Sequence, residues 1–175
     1  GYIAAPSANT SGRPSPTRAE HVAEDLDGRI EMIVDGGPVE IGVESTILDM
    51  TVTPPMILRP GAVTREMLEE LIGEVAVDQT LLKADSRTAP KAPGMKYRHY
   101  APKANLVVVE GEVEKVTAWI RETAATKQQE GKRVGIIATE ETKESYPDGD
   151  VKVAGTRADE ATIASSLYGI LREFD

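Results

Sequence analysis

Arg133-Val134-Gly135-Ile136-Ile137-Ala138 reads as a buried strand, a short unbroken apolar run rather than an alternating one. Working outward, Val113 to about Gln129 has the spacing of an amphipathic helix, and Leu106-Val107-Val108-Val109 before it repeats the buried-strand pattern. Downstream, Val151-Lys152-Val153-Ala154 predicts a third strand. A closing helix from about Ala158 carries Ile163, Leu167, Ile170, Leu171 and Phe174 along one stripe. Apolar strands alternating with helices imply a parallel sheet, because helical crossovers cover both of its faces. Residues 105–175 therefore predict a Rossmann-like β-α-β-α domain, incomplete because no closing strand precedes Asp175. Gly135 lies within a strand and reads as a packing residue rather than a phosphate cradle.

Residues 1–77 have a different rhythm. Gly1 to Ala5 read as the interior of a strand, interrupted by Pro6, with no initiator Met, so the chain is expected to be a piece of something longer. Thr17-Arg18-Ala19-Glu20 fits a capping box, followed by a short helix through Val22, Ala23 and Leu26 that Gly28 ends. Strands are predicted at Ile30–Val34, Gly42–Met50 and Met56–Arg59. Thr64 then caps a second helix with Met67, Leu68, Leu71 and Ile72 on one face. Strands mixed with helices predict an α+β layer, so the chain as a whole is α/β (α+β).

Between the two, residues 78–104 lack periodicity, and Pro90, Pro93 and Pro102 forbid a regular element through them. The chain carries a net charge of −9, but unevenly: residues 1–82 hold 5 Lys and Arg against 14 Asp and Glu, residues 104–175 hold 9 against 14, and residues 83–103 hold 6 against 1. This basic island, with Lys96, Tyr97, Arg98, His99 and Tyr100 in succession, reads either as a solvated tether or as an anion-binding strap.

Composition excludes several chemistries. Cysteine is absent, which removes disulfides, thiolate catalysis and Cys-type zinc sites. His21 and His99 are not at metal-ligand spacing, and no Walker loop, dinucleotide fingerprint or nucleophile elbow occurs. Hydrophobic residues make up 40% and aromatics 4%, so the core is expected to be aliphatic and Ala-rich. No run is long or apolar enough to cross a membrane and none has the form of a secretory signal, so a cytoplasmic location is expected.

What remains is Ser7 and Asn9, the strand Val43-Glu44-Ser45-Thr46, Arg59 and the basic loop. Ser, Asn and Gly crowd a loop when many donors and acceptors must face a ligand, but Ser7 and Asn9 equally fit a simple turn before a helix. Glu44 fits an exposed edge charge, and Arg59 before Pro60-Gly61 fits a surface residue at a strand end.

Taken together, Pro6-Ser7-Ala8-Asn9 with Ser11-Gly12, Ser15-Pro16-Thr17, Gly42-Val43-Glu44-Ser45-Thr46-Ile47-Leu48-Asp49 and Ile57-Leu58-Arg59-Pro60-Gly61 resemble the threonylcarbamoyl-AMP synthases, the YrdC-like enzymes of tRNA modification. Pro93 to Pro102 resembles the interdomain linker of the long, two-domain form. The resemblance implies residues 1–77 as the C-terminal part of a twisted-sheet catalytic domain, 78–104 as linker or lid, and 105–175 as the Rossmann-like domain. It implies a reaction joining L-threonine, bicarbonate and ATP, brought with Mg2+, into threonylcarbamoyl-AMP and pyrophosphate. A separate transferase complex would pass the product to tRNA, so tRNA is met only indirectly.

By the same resemblance Ser7 and Asn9 lie at the nucleotide, and Ser45 and Thr46 donate to phosphate or carbamate oxygens. Arg59 offers a planar fork to phosphate. Lys96, Tyr97, Arg98, His99 and Tyr100 would close as a lid, and no residue acts as a covalent nucleophile. The family's Lys-x-Arg motif upstream of the Ser-x-Asn segment is missing, so the chain alone is expected to be inactive. Two other readings stay open: an RNA-binding module of YrdC-like fold without turnover, and a carbamoyl-transfer domain of hydrogenase maturation, whose zinc-finger cysteines are absent here.

Overall fold

Alternating apolar runs and periodic helices give a mixed α/β structure with two small sheets. The computed structural model describes residues 1–78, 81 and 102–175. In chain order the elements are α1 (Ala19–Leu26), β1 (Ile47–Asp49), β2 (Met56–Arg59), α2 (Arg65–Ile72), β3 (Ala76–Val77), α3 (Val113–Gln129), β4 (Gly135–Ala138), β5 (Asp150–Val153) and α4 (Glu160–Glu173), with a 3-10 turn at Lys143–Ser145.

The first sheet has the order β1-β2-β3. β1 runs antiparallel to β2, and β3 runs parallel to β2 after the crossover through α2. Thr64 caps α2 as its sequence predicts, its hydroxyl accepting from Met67 N–H, and Gly73 ends the helix with φ 80°. The β1–β2 register slips between Ile47, which faces Arg59, and Leu48, which faces Ile57. That slip leaves Leu58 unopposed, so Ile57 and Leu58 are both buried in succession and Arg59 emerges at the strand end.

The second sheet pairs β4 and β5 in parallel, from Gly135↔Asp150 to Ala138↔Val153. Ala124 of α3 packs with Ile136, Ala138 and Tyr146, flanked by Ile120, Val134 and Val151. This is the aliphatic, Ala-rich core that the composition predicts. The connection between β4 and β5 holds the 3-10 turn rather than a full helix.

Five expectations are corrected. Gly1–Ala5, Ile30–Val34 and Leu106–Val109 form no strand; Tyr2, Ile3, Met32, Val34, Val107 and Val108 are exposed. A strand exists only against a neighbour that takes up its N–H and C=O groups, and none of these runs pairs with one among the described residues. Of the strand expected at Gly42–Met50 only Ile47–Asp49 forms, where it pairs with β2. The fifth is the capping box. The N-cap of α1 is Arg18, without a side-chain cap, and Thr17 is buried with its N–H donating to His21 Nδ1 at 3.1 Å.

Candidate functional site

Arg59 is delivered by the most buried segment of the first sheet. Its Nε donates to the Ser45 carbonyl at 3.0 Å and its Nη2 to Ser45 Oγ at 2.9 Å, a fork that closes on one residue. Glu44 Oε2 lies 3.7 Å from the same guanidinium, and its other oxygen accepts from Ser15 Oγ. Both charged side chains are largely shielded, with 14% and 13% exposure, so the pair acts in a medium that screens it less than bulk water does. Glu44 is thus no exposed edge charge.

The loop after Arg59 lies directly on the segment from Glu44 to Thr46 that leads into β1. Ala62 N–H donates to the Glu44 carbonyl at 3.2 Å and Thr46 Oγ1 donates to the Val63 carbonyl at 2.6 Å. A Cβ at Gly61 would fall 2.5 Å from Ser45 C and Thr46 N, so only glycine permits that approach. Ser45 itself is exposed. Its Oγ accepts from Arg59 and so keeps its proton for an acceptor. Thr46 spends its hydroxyl proton on Val63.

The Ser7–Asn9 segment forms a self-contained turn. Ser7 Oγ donates to Asn9 Oδ1, and Asn9 Nδ2 donates to the carbonyls of Thr10 at 3.0 Å and Arg13 at 3.1 Å. Ala8 sits at φ 57°, the left-handed region, which sharpens the turn. The turn reading of these residues is the one the geometry shows: their side chains shape the loop, which is exposed at Ser7. Ser15, between the two groups in sequence, ties the loop side to Glu44.

The structure therefore brings Ser45, Thr46 and Arg59 together, with Ser7 and Asn9 on a separate turn. Lys96, Tyr97, Arg98, His99 and Tyr100 lie outside the described residues. Sequence reasoning missed Ser15 and Glu44 as site members and missed the buried Asp25; the dense Ser15-Pro16-Thr17 segment was the signal for the first of these. Burial pushes the Asp25 carboxyl up, but hydrogen bonds from Arg172 and the Thr10 N–H outweigh it and hold the group below the usual carboxylate range.

A cavity of about 630 Å³ opens between Thr17, Arg18 and Val39 on one side and Lys152, Ser166 and Glu173 on the other. It contains none of the predicted site residues, and three of its charged side chains pair across it, Arg18 with Glu173 at 3.6 Å and Lys152 with Glu173 at 2.9 Å. Among the described residues no group of three or more His, Cys, Asp or Glu is placed to hold a metal ion, and no helix is long and apolar enough to cross a membrane.

Comparison with known proteins adds a second line. The family model "Threonylcarbamoyl-AMP synthase, C-terminal domain" matches residues 63–175, and a model described as "Telomere recombination" matches residues 1–61. The threonylcarbamoyl-AMP synthases of Bacillus subtilis and Pyrococcus abyssi are 53% and 50% identical over 99% of this chain. The chain covers 48% and 49% of them, and so spans about half the length of the curated relatives it matches. In structure it resembles P. abyssi Sua5 complexed with L-threonine, with a TM-score of 0.83 and 47% identity over 97% of this chain and 48% of that one. A double variant of the same protein, with an adjacent histidine and tyrosine replaced by alanine, superposes with a TM-score of 0.84.

Proposed function

The chain belongs to the threonylcarbamoyl-AMP synthase family, and from that premise we propose that it carries the downstream half of an L-threonylcarbamoyladenylate synthase. The observation that carries this reading is identity above 50% to the Bacillus synthase sustained through 99% of the chain, across both kinds of segment, in order. The reaction condenses the L-threonine amine with bicarbonate, losing water to give a carbamate. A carbamate oxygen then attacks the α-phosphorus of ATP, and pyrophosphate leaves with the bonding electron pair.

Carboxylated threonine decomposes in water, so the site must hold the reactants in attack geometry and exclude solvent. Ser7 and Asn9 present a pre-shaped turn to the nucleotide. Ser45 offers its unspent proton to a phosphate or carbamate oxygen, and Arg59 adds positive charge where charge develops on the phosphate. Thr46 joins them only by releasing Val63. Magnesium would enter as the ATP complex with phosphates as its main ligands; among the described residues no group of three or more His, Cys, Asp or Glu is placed to cage it.

The basic segment Lys96 to Tyr100 completes the proposal as a water-excluding lid, with the product passed to a transferase complex acting on tRNA in the cytoplasm. The second domain is read as Rossmann-like from its parallel β4–β5 pair. This chain by itself is proposed to be inactive, because it spans about half the length of the curated synthases it matches.

The test is pyrophosphate release, measured on this chain and on a longer form in which the N-terminal half of the Bacillus subtilis relative precedes it. Release in the longer form that needs both threonine and bicarbonate supports the reading. Absence of release in both, with salt-dependent RNA binding, would move it to a binding module.

A further inference from the structure

We propose that Arg172, on α4, is a positioning residue for the Ser7–Asn9 turn and acts on it through Asp25. The inference rests on the nucleotide-binding role proposed for that turn.

Arg172 stands among Gly169, Ile170 and Leu171, all buried, at the end of the apolar helix α4, where a charged side chain needs a partner. Its Nε and Nη2 donate to the Pro14 carbonyl at 2.9 and 2.6 Å, and Nη2 also donates to Asp25 Oδ2 at 2.9 Å. The arginine side chain is 1% exposed and the aspartate side chain 0%. Asp25 in turn accepts from the Thr10 N–H at 3.0 Å and from Arg13 Nη1. Glu24, at 3.3 Å from Arg13 and 3.6 Å from Arg172, balances the second cation.

These bonds make a continuous path. Arg172 fixes Pro14 and Asp25, and Asp25 fixes the Thr10 N–H and Arg13. Those two residues bracket the turn into which Asn9 Nδ2 points, bonding to both of their carbonyls. Arg13 N–H closes the turn on the Thr10 carbonyl at 3.2 Å. The outside of the turn is thus held from α4 and the inside by Asn9 itself. A lysine at 172 keeps the charge but loses the planar fork that reaches Pro14 and Asp25 together. A buried carboxylate deprived of one partner releases the groups that it orders.

Two measurements test this on Arg172→Lys and Asp25→Asn, which alter the path while keeping side-chain bulk. In this chain, amide hydrogen exchange at Thr10 and Arg13 is expected to rise about tenfold in each variant with the α3 amides unchanged. In the longer form used for pyrophosphate release, KM for ATP is expected to rise about tenfold with kcat within about twofold, where a general loss of folding lowers apparent kcat instead. Arg172→Lys/Asp25→Asn should cost little more than either change alone, because both act on one turn.

Three results overturn the proposal: unchanged exchange at Thr10, a rise spread equally over α3, or faster exchange at the turn with KM for ATP unmoved. If the unsubstituted longer form shows no threonine-dependent release, the functional reading fails instead, and the exchange measurement still decides whether α4 holds the turn.

Discussion

Gly42 and Ser165 meet backbone to backbone. A Cβ at Gly42 would fall 2.7 Å from the Ser165 carbonyl carbon and 2.9 Å from the Ala164 carbonyl oxygen. The stretch that leads into Ser45 and Thr46 is therefore seated on α4 through an atom that is not there. Gly42→Ala is expected to destabilise the chain by about 1–3 kcal/mol, since helix backbone cannot yield. Gly36→Ala, which meets nothing within 4 Å, should stay within about 0.5 kcal/mol. Urea unfolding of the two variants checks the contrast, and equal midpoints would refute the contact.

Arg59→Lys removes the fork on Ser45 while keeping a cation at the strand end. In the longer form put to the pyrophosphate assay it is expected to lower kcat/KM for ATP about tenfold to hundredfold. A variant with undiminished turnover would show that the charge alone suffices.

His21 gives the chain a pH-sensitive joint. Burial, and after it the positive charge of Arg172, push its pKa below 6.5, and its Nδ1 must stay unprotonated to accept from Thr17 N–H. The unfolded chain therefore binds the proton more readily, so this contribution is complete above pH 6.5 and is lost as pH falls through the lower folded value. Urea midpoints across that window should fall with pH in the unsubstituted chain and fall less in His21→Gln. Parallel curves would remove His21 from the explanation.

Glu141 is held at a pKa of about 2, first by the hydroxyl of Thr156, with Thr139 adding to it. The Arg157 N–H also donates to its Oε1 at 2.9 Å. A carboxylate titration followed by NMR should give a midpoint near 2, moving toward 4.5 in Thr156→Val. An ordinary midpoint in the unsubstituted chain would contradict the arrangement.

The two helix starts in the first part of the chain separate pattern from structure. Thr64→Ala is expected to cost about 1 kcal/mol, because its hydroxyl takes the Met67 N–H. Glu20→Ala should stay within about 0.5 kcal/mol, because Thr17 is not the N-cap and no capping box forms. Thermal unfolding of both variants tests this, and the reverse order would restore the box.

What was legible in the sequence was what depends on neighbours along the chain. The helix read from Val113 to Gln129 ends at those residues, and Met56–Arg59 is a strand as its apolar run predicts. Ile30–Val34 and Leu106–Val109 carry the same strand-like composition, yet a strand is a property of a pair. Thr17 shows a different limit: its hydroxyl suits a cap, but α4 packs Gly169 close to it and burial turns it toward His21. Ser45 and Arg59 stood out only through the family resemblance, since locally Arg59 fits a surface residue at a strand end. The fork between them, and Glu44 behind it, follow from a one-residue slip in register that no local pattern announces. Arg172 was invisible for the same reason, since its partners lie 147 and 158 residues away.

That separation sets an order of events when the chain is made. Pro14 leaves the ribosome well before the guanidinium that grips its carbonyl, which is encoded 158 residues later. At cellular elongation speeds the delay is roughly 8–30 s, long compared with the microseconds in which the nearby helix α1 can form and melt. Through that interval the segment around Ser7 and Asn9 is held by its own short bonds and by an Asp25 that still lacks its buried arginine partner. Its final shape is a late step of biosynthesis, completed by the helix that is translated last among those described.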